Sequence, residues 1–136
     1  MIIKQISIFI ENRPGRLAEI TDIIAKNNIN IRALSIADTT NFGILRIIVD
    51  NPELVEEKLR ENNITASITS VLSVAIKDRP GGLAEVLKIL SDNGIAIEYM
   101  YAFLAKKEDE AYVIMRIEKD DEAKRLLEAN GYYGLN

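Results

Sequence analysis

Two nearly identical turns in this 136-residue chain carry residue types suited to holding a small charged molecule. The first is Asn12-Arg13-Pro14-Gly15-Arg16-Leu17, and Asp78-Arg79-Pro80-Gly81-Gly82-Leu83 follows it 66 residues later. Proline fixes one backbone angle and lacks an N–H, which suits the start of a turn or a helix. Glycine lets the backbone bend freely and lets a ligand come near. The helix predicted after each turn directs free N–H groups and a partial positive charge at it, which favours a carboxylate or a phosphate.

The polar residue that opens each turn adds the second half of a possible site. Asn12 and Asp78 can hold an ammonium group, or they can simply cap the helix that follows. Leu17 and Leu83, at the apolar start of each helix, would then contact the side chain of the bound molecule. Together these groups can bind both ends of an amino-acid zwitterion.

A purely structural explanation of the turns stands beside the binding one. Pro-Gly before a helix is a common corner, and a duplication preserves folding signals as readily as binding sites. Arg13 and Arg79 each precede a proline in a loop, where arginine is most often solvated. Arg16 becomes Gly82 in the second copy, so it cannot serve a role that both copies need.

The elements that must position the first turn have the order β-α-β-β-α-β. Alternating apolar residues indicate strands, and an apolar stripe of helical period indicates helices. The first helix ends at Asn27-Asn28, because asparagine tolerates the left-handed conformation of a helix stop. Asn51 caps the second helix with Pro52 at its first position, and Val55 and Leu59 face inward. The predicted strands are residues 6–11, 29–36, 42–49 and 64–68.

The second half of the chain repeats that order. Its first helix starts near Leu83 and stops at Asn93-Gly94, and Asp120 is predicted to cap its second helix, with Leu126 and Leu127 inside. The predicted strands are residues 72–76, 95–104, 111–117 and 132–135.

This repeated order predicts an α+β protein of two ferredoxin-like βαββαβ units, each a four-stranded antiparallel sheet with two helices on one face. Thr69-Ser70 is the only soft position between the halves, which places the domains at residues 1–69 and 70–136. A charged hairpin tip at residues 106–110 lengthens the second copy by four residues, since Arg116 matches Arg46. The third strand is apolar on both sides, so we expect the helix-free face or a sheet edge to be covered by the sister unit or another chain.

Composition excludes several classes of function. Cysteine and histidine are both absent, which removes disulfides, thiolate metal sites and the commonest general base. The net charge of −4 argues against a nucleic-acid-binding surface. No apolar run reaches about 18 residues, and the chain does not open on a signal-peptide pattern. We therefore predict a cytoplasmic protein with no membrane association, no metal and no cofactor.

The residues around both turns resemble the opening of an ACT domain. The resemblance lies in Ile8 to Leu17 with Asn28 to Ile31, and in Val74 to Leu83 with Asn93 to Ile97. The second copy has the Asp-Arg-Pro-Gly-x-Leu form that is usual in the family. The match covers nearly the whole chain, which is similar to the small stand-alone tandem ACT proteins. It implies a ferredoxin-like fold, side-by-side sheets, a homodimer, and an allosteric, non-catalytic role in which a free amino acid binds at domain interfaces.

The resemblance also implies which residues bind the ligand. In such domains the ligand meets the first strand-to-helix loop and the second strand of a neighbouring unit. By position, the implied residues are Asn12, Arg13, Pro14, Gly15, Leu17 and Ile31 in the first copy and Asp78, Arg79, Pro80, Gly81, Gly82, Leu83, Ile97 and Tyr99 in the second. Copy one has asparagine where the family usually has aspartate, so we expect the two sites to differ in affinity. Tyr99, Tyr101 and Phe103 share one face of a strand, as interface packing or as a wall for a ligand side chain.

Three other functions compete with amino-acid sensing. The first copy also resembles the start of the regulatory subunit of acetolactate synthase, so the chain could be a docking subunit that controls a separate enzyme of amino-acid metabolism by contact. An acylphosphatase-like enzyme would use Arg13 or Arg16 with Asn30 or Asn41, but that family's loop is Gly-rich and differs from Asn-Arg-Pro-Gly. RNA binding needs aromatic and basic residues on the open sheet face, which the acidic balance and the aliphatic strands oppose.

Overall fold

A computed structural model describes residues 1–38, 41–105 and 107–135. The chain folds into six strands and four helices within these residues, confirming the α+β class. The elements are β1 (Ile2–Glu11), α1 (Arg16–Lys26), β2 (Ile31–Asp38), β3 (Phe42–Val49), α2 (Pro52–Glu61), β4 (Ala66–Lys77), α3 (Gly82–Asp92), β5 (Tyr99–Leu104), β6 (Glu110–Arg116) and α4 (Asp120–Ala129). No helix in these residues is both long and apolar enough to cross a membrane.

The chain divides into two compact units. Lys4–Thr69 form the first unit, and Ser70–Asn136 together with Met1–Ile3 form the second. Thr69 and Ser70, predicted to be a soft position, both lie inside β4. The division between the two units falls between these two residues, and no turn or break in the strand marks it, because small β-branched and hydroxyl side chains are compatible with an extended strand as well as with a turn.

The first unit has the strand order β2-β3-β1-β4. β1 and β2 both pair with β3 in antiparallel fashion, so that Ile8 and Ile36 each lie opposite Leu45. Alternate residues of β1 form one wall of the core, as their sequence period predicts. Val55 and Leu59 of α2 close the other side of the core, and both are almost fully buried, as predicted.

The second unit has the order β1-β4-β6-β5, to which β1 contributes its first residues. Leu72 lies opposite Met115 and Val74 opposite Val113, and all four face a core that α3 and α4 complete. Leu127 of α4 is fully buried in this core, as predicted.

The segment predicted as the last strand, residues 132–135, is not a regular strand but still lies along β4. The Ala75 N–H donates to the Tyr133 carbonyl at 2.7 Å, and the Leu135 N–H donates to the Ser73 hydroxyl at 3.1 Å. Gly134 permits this approach, because a Cβ there would lie 1.7 Å from the Ser73 carbonyl oxygen. The Ser73 N–H also donates to the Met1 carbonyl at 2.8 Å, so the rest of this edge of β4 pairs with the start of β1.

The second copy is longer than the first by two residues rather than four. Ser7 lies opposite Arg46 in the first unit, and its counterpart Ser73 lies opposite Ile114 in the second. Ile114, 68 residues after Arg46, therefore takes the place of Arg46, and the match with Arg116 is wrong. Of the predicted hairpin tip, Lys106 lies outside the described residues.

Two boundaries in the second unit also differ from their predictions. Lys119 is the N-cap residue of α4, and Asp120, predicted to be the cap, is its first helical residue, whose Oδ1 accepts a hydrogen bond from the Asp121 N–H at 2.8 Å. β5 begins at Tyr99, and the four residues before it are not a regular strand. Ile95 and Ile97 instead pack against the core, because apolar side chains can be buried without strand pairing.

Candidate functional site

Both turns have the same backbone. Gly15 and Gly81 are the N-cap residues of α1 and α3, with φ angles of 84° and 87° in the left-handed region. Glycine adopts this conformation without strain, whereas other residues do so at a cost. The same backbone hydrogen bond closes both turns. The Arg13 N–H donates to the Glu11 carbonyl at 2.9 Å, and the Arg79 N–H donates to the Lys77 carbonyl at 2.9 Å.

The polar residues that open the turns are not helix caps. In the part of the chain that the structure describes, no side-chain oxygen caps α1 or α3. Asn12 and Asp78 are exposed, and their N–H groups donate to Asn41 and Asp109, respectively. First-turn N–H groups have no acceptor within their own helix. The uncapped helix ends therefore face the turns with donors suited to an anionic group.

The arginine of each turn bends back over the helix start instead of extending into solvent. The Arg79 Nη2 atom lies 2.7 Å from Glu85, and the Arg13 Nη2 atom lies 3.8 Å from Glu19. Arg13 also donates through Nε to Glu11 at 3.1 Å. The arginine and glutamate side chains remain about half exposed, so these ion pairs orient the guanidinium groups more than they stabilise the fold.

A cavity of about 130 Å³ opens beside the first turn. It lies between the end of β1, the start of α1 and strands β2 and β3, and Ile36 and Gly43 form its far side. Its lining residues are Ile10, Glu11, Asn12, Arg13, Leu17, Ile36 and Gly43. The sequence predicted Asn12, Arg13 and Leu17, and it missed the other four.

Strand register explains why Ile36 and Gly43 were missed, whereas Ile10 and Glu11 directly precede the predicted Asn12 in the chain. Gly43 lies opposite Ile10 and Ile36 opposite Leu45, and neither pairing can be read from the chain before the register is known. One signal was available, because a glycine inside an apolar strand marks a close approach by another group. A Cβ on Gly43 would lie 3.3 Å from Cγ1 of Ile10.

The other predicted residues of the first copy lie outside the cavity lining. Pro14 and Gly15 are exposed at the corner of the turn. Ile31 is half buried at the start of β2, where it packs against the core of the first unit.

Arg16, which begins α1, is set apart from the predicted residues by its burial. Its side chain is only 16% exposed, and Nη1 lies 3.0 Å from Glu19. Its Nε atom is buried and has no hydrogen-bond partner in the described residues. The corresponding Gly82 has no side chain, so the two turns differ chemically at this position.

The second turn is drawn closely onto β4. Gly82 is buried, and a Cβ there would lie 2.1 Å from the Lys77 carbonyl oxygen, so only glycine fits this backbone. Leu83 and Ile97 are half buried and pack against the core. The turn residues that remain exposed are Asp78, Arg79, Pro80 and Gly81.

The aromatic residues of β5 share one side of the second unit, as predicted. Tyr99 begins the strand and is half buried opposite Arg116. Phe103 stacks on Tyr112 with ring centroids 5.4 Å apart. Phe103 therefore packs within its own unit.

A buried carboxylate beside the second turn was not predicted. Glu110 lies opposite Lys77, is 6% exposed, and accepts a hydrogen bond from the Tyr133 hydroxyl. Its carboxylate lies 3.3 Å from the Lys107 ammonium and 3.8 Å from that of Lys77. The hydrogen bond from Tyr133 lowers the pKa of Glu110, with Lys107 and Lys77 acting in the same direction against the effect of burial. The same contact raises the pKa of Tyr133.

The chemistry available at the turns is that of binding. Opposite charges, uncapped helix N–H groups and an apolar wall lie within one small region of the first unit. Across the described ranges, no cluster of three or more acidic, histidine or cysteine side chains is arranged to hold a metal ion.

The family follows from comparison with known proteins. The model of the ACT domain pair matches residues 1–132, so the chain belongs to the ACT domain pair family and the resemblance is confirmed. The crystal structure of protein BT0572 from Bacteroides thetaiotaomicron is 41% identical, with a TM-score of 0.93 over 99% of this chain and 92% of that one. Among curated proteins, none matches this chain.

More distant structures share the fold. The regulatory subunits of aspartate kinase from Thermus thermophilus, in its ligand-free form, and from Thermus flavus are each 18% identical to this chain. Their TM-scores are 0.67 and 0.65, over 95% of this chain and 96% and 94% of theirs. At this identity the likeness establishes the fold and nothing finer.

Proposed function

We propose that this ACT domain pair is a non-catalytic regulatory protein that binds a free amino acid at its strand-to-helix turns and signals amino-acid levels. Its ACT repeats are residues 1–69 and 70–136. The observation that carries the proposal is the cavity at the first turn, which combines Glu11, Arg13 and Asn12 with an apolar wall. A zwitterion with an apolar side chain needs these three kinds of contact together.

The backbone of the turns supports the same proposal. The uncapped first turns of α1 and α3 offer N–H groups and a positive partial charge to a carboxylate. A ligand bound there regulates by shifting the population of whichever conformation or assembly binds it better.

The edge of the first unit supports a homodimer. Leu34 and Ile36 of β2 are 55% and 45% exposed, and Ile36 also lines the cavity. An exposed apolar edge strand is a surface on which a second chain can pair. We propose that a second copy covers this edge in the cytoplasm, which light scattering with and without amino acids tests directly.

A docking role is the second candidate. Phe9 and Phe42 are 54% and 57% exposed in the first unit, which is a large exposure for aromatic side chains. Two of the structures with this fold are regulatory subunits of aspartate kinase, so an enzyme of amino-acid metabolism is a reasonable partner. Co-purification of such an enzyme that is lost in Phe9→Ser, with no effect of amino acids, would favour docking over sensing.

A thermal-shift screen with the twenty amino acids tests the proposed sensing function. A specific ligand at a hundredfold excess over its Kd is expected to stabilise the protein by about 2.7 kcal/mol. Asn12→Ala and Asp78→Ala should reduce the shift, whereas the exposed Asn30→Ala, outside both turns, serves as the matched control. Substitutions at Gly81 are unsuitable for this test, because its φ of 87° makes any side chain a strain on the fold. If none of the twenty amino acids stabilises the protein, the proposal is wrong.

A further inference from the structure

We infer that the cavity at the first turn selects an amino acid with a small aliphatic side chain, whose ammonium and carboxylate groups are held by Glu11 and Arg13. The inference rests on the proposed amino-acid-binding function and specifies the ligand class of the first turn. The chemistry of the cavity wall, its size and the charges at its mouth each support it.

The wall of the cavity is aliphatic. Ile10 of β1, Leu17 of α1 and Ile36 of β2 surround it on three sides. Leu17 and Ile36 are 38% and 45% exposed, so apolar surface stands open to solvent at this place. Covering it with an apolar side chain is favourable, whereas a charged or amide side chain would lose hydration against aliphatic groups.

The size of the cavity limits the side chain. A volume of 130 Å³ accommodates about four water molecules at ~30 Å³ each, which corresponds to a few heavy atoms. Gly43 lines the cavity without contributing a side chain, and a Cβ at this position would lie 3.3 Å from Cγ1 of Ile10. A short or branched aliphatic side chain fills this volume.

The charges at the mouth match a zwitterion. Glu11 and Arg13 line the cavity and lie 3.1 Å apart through Oε2 and Nε, and their side chains are 60% and 50% exposed. Such an exposed pair is weak, so each member can exchange its partner for one end of the ligand. The guanidinium is suited to the carboxylate and the glutamate to the ammonium group. The pair has no net charge, and it therefore favours a ligand that has none.

The second turn offers a different set of groups at the corresponding places. Lys77 replaces Glu11, which reverses the charge, and Ala111 replaces Gly43 opposite Ile76. Ala102 takes the place of Ile36, since each lies opposite the corresponding residue of the third strand of its unit. The aliphatic selectivity therefore belongs to the first turn, and the second turn supplies matched controls.

Isothermal titration calorimetry of the full chain tests the inference, with alanine, valine, leucine, isoleucine, phenylalanine, aspartate and lysine as ligands. We expect an aliphatic amino acid to bind at least about tenfold more tightly than phenylalanine, aspartate or lysine. Glu11→Gln should weaken that binding about tenfold, because it removes the charge that faces the ammonium group, while Lys77→Gln should leave it unchanged.

Gly43→Ala provides a readout that a merely structural role would not affect. The added methyl group narrows the cavity, so the variant should lose more affinity for leucine than for alanine. If Gly43→Ala fails to fold, Ile36→Ala replaces it, because this exposed edge position tolerates substitution. Ile36→Ala should weaken the binding of all aliphatic ligands.

The outcomes separate the two proposals. If phenylalanine, aspartate or lysine binds best, or if Asp78→Asn abolishes binding while Glu11→Gln has no effect, the assignment to the first turn is overturned and the sensing function stands. If the chain binds none of the amino acids, both proposals fall.

Discussion

Tyr133 holds the last described segment of the chain in place through one buried partner. Its hydroxyl donates to Glu110, whose folded-state pKa is thereby lowered from the ordinary value of 4.5. A carboxylate with a lowered pKa stabilises the folded state above its ordinary pKa, and that contribution is lost as the pH falls through the lower folded value. The segment at residues 132–135 is therefore held most firmly near neutral pH.

Removing this hydroxyl tests the contact. Tyr133→Phe should lower the Tm at pH 7 by a few degrees, because Glu110 stays buried without its donor. The difference from the original protein should shrink as the pH falls below 4.5, since protonated Glu110 no longer gains from the contact. Thermal unfolding followed by circular dichroism measures both effects. Tyr132→Phe is the control, and a difference that persists unchanged in acid would contradict the account.

At the residue scale, the sequence predicted what the turns are made of but not what surrounds them. The turn at Pro14 and Gly15 could be predicted because a left-handed backbone position favours glycine, which is visible in the sequence. Ile36, Gly43 and Glu110 were missed because they reach the turns through strand pairing, which depends on register. Arg13 and Arg79 are exposed, as the sequence predicted, and each also lies near a glutamate of the following helix, which the sequence analysis did not predict.

Helices α2 and α4 occupy the same place in the two units but begin differently. The Asn51 side chain accepts a hydrogen bond from the Leu54 N–H at 3.3 Å, as the sequence predicts for an N-cap. Lys119 stands 68 residues later at the start of α4 and makes no such bond. The side chain of the N-cap residue therefore caps α2, whereas at the start of α4 the carboxylate of the first helical residue, Asp120, accepts the Asp121 N–H instead.

Exchanging cap residues tests this difference. Asn51→Ala should destabilise the protein by about 1 kcal/mol, and Lys119→Asn should stabilise it by about 0.5–1 kcal/mol, because asparagine accepts a first-turn N–H and lysine cannot. Urea unfolding of both variants measures the changes. Lys119→Ala separates gain of a cap from loss of a lysine, and equal stability of the asparagine and alanine variants would show that no cap forms.

At the element scale, the regular parts of the fold were predictable and their ends were less so. The alternation in β1 and the apolar stripes of α1 and α3 follow directly from burial on one side. β4 was divided in two because its middle is polar, although hydrogen bonding along a strand does not require apolar side chains. Residues 132–135 have an extended sequence pattern, but only part of their length pairs with β4.

At the scale of the whole molecule, the described residues form two hydrophobic cores, one in each unit. Leu59 and Leu127 occupy corresponding places in α2 and α4, and both are fully buried. The duplication recognised in the sequence is therefore also a duplication of the packing that holds each unit together.

Matched cavities in these cores test how each contributes. Leu59→Ala and Leu127→Ala should each destabilise the protein by about 2–5 kcal/mol, because each removes buried methyl groups and leaves a void. Hydrogen exchange should show the first substitution lowering protection mainly in α1 and α2, and the second mainly in α3 and α4. Equal loss of protection in all four helices after either substitution would mean that neither core acts separately.

Ser73 has a further property as the meeting point of distant parts of the chain. Its amide binds Met1 and its hydroxyl binds Leu135, residues that are 134 positions apart in sequence. The backbone N–H and the side-chain hydroxyl of one residue, Ser73, therefore hold Met1 and Leu135 close to each other. Detachment of either segment leaves a hydrogen-bonding group of the same buried serine without its partner, so the two segments depend on the same residue.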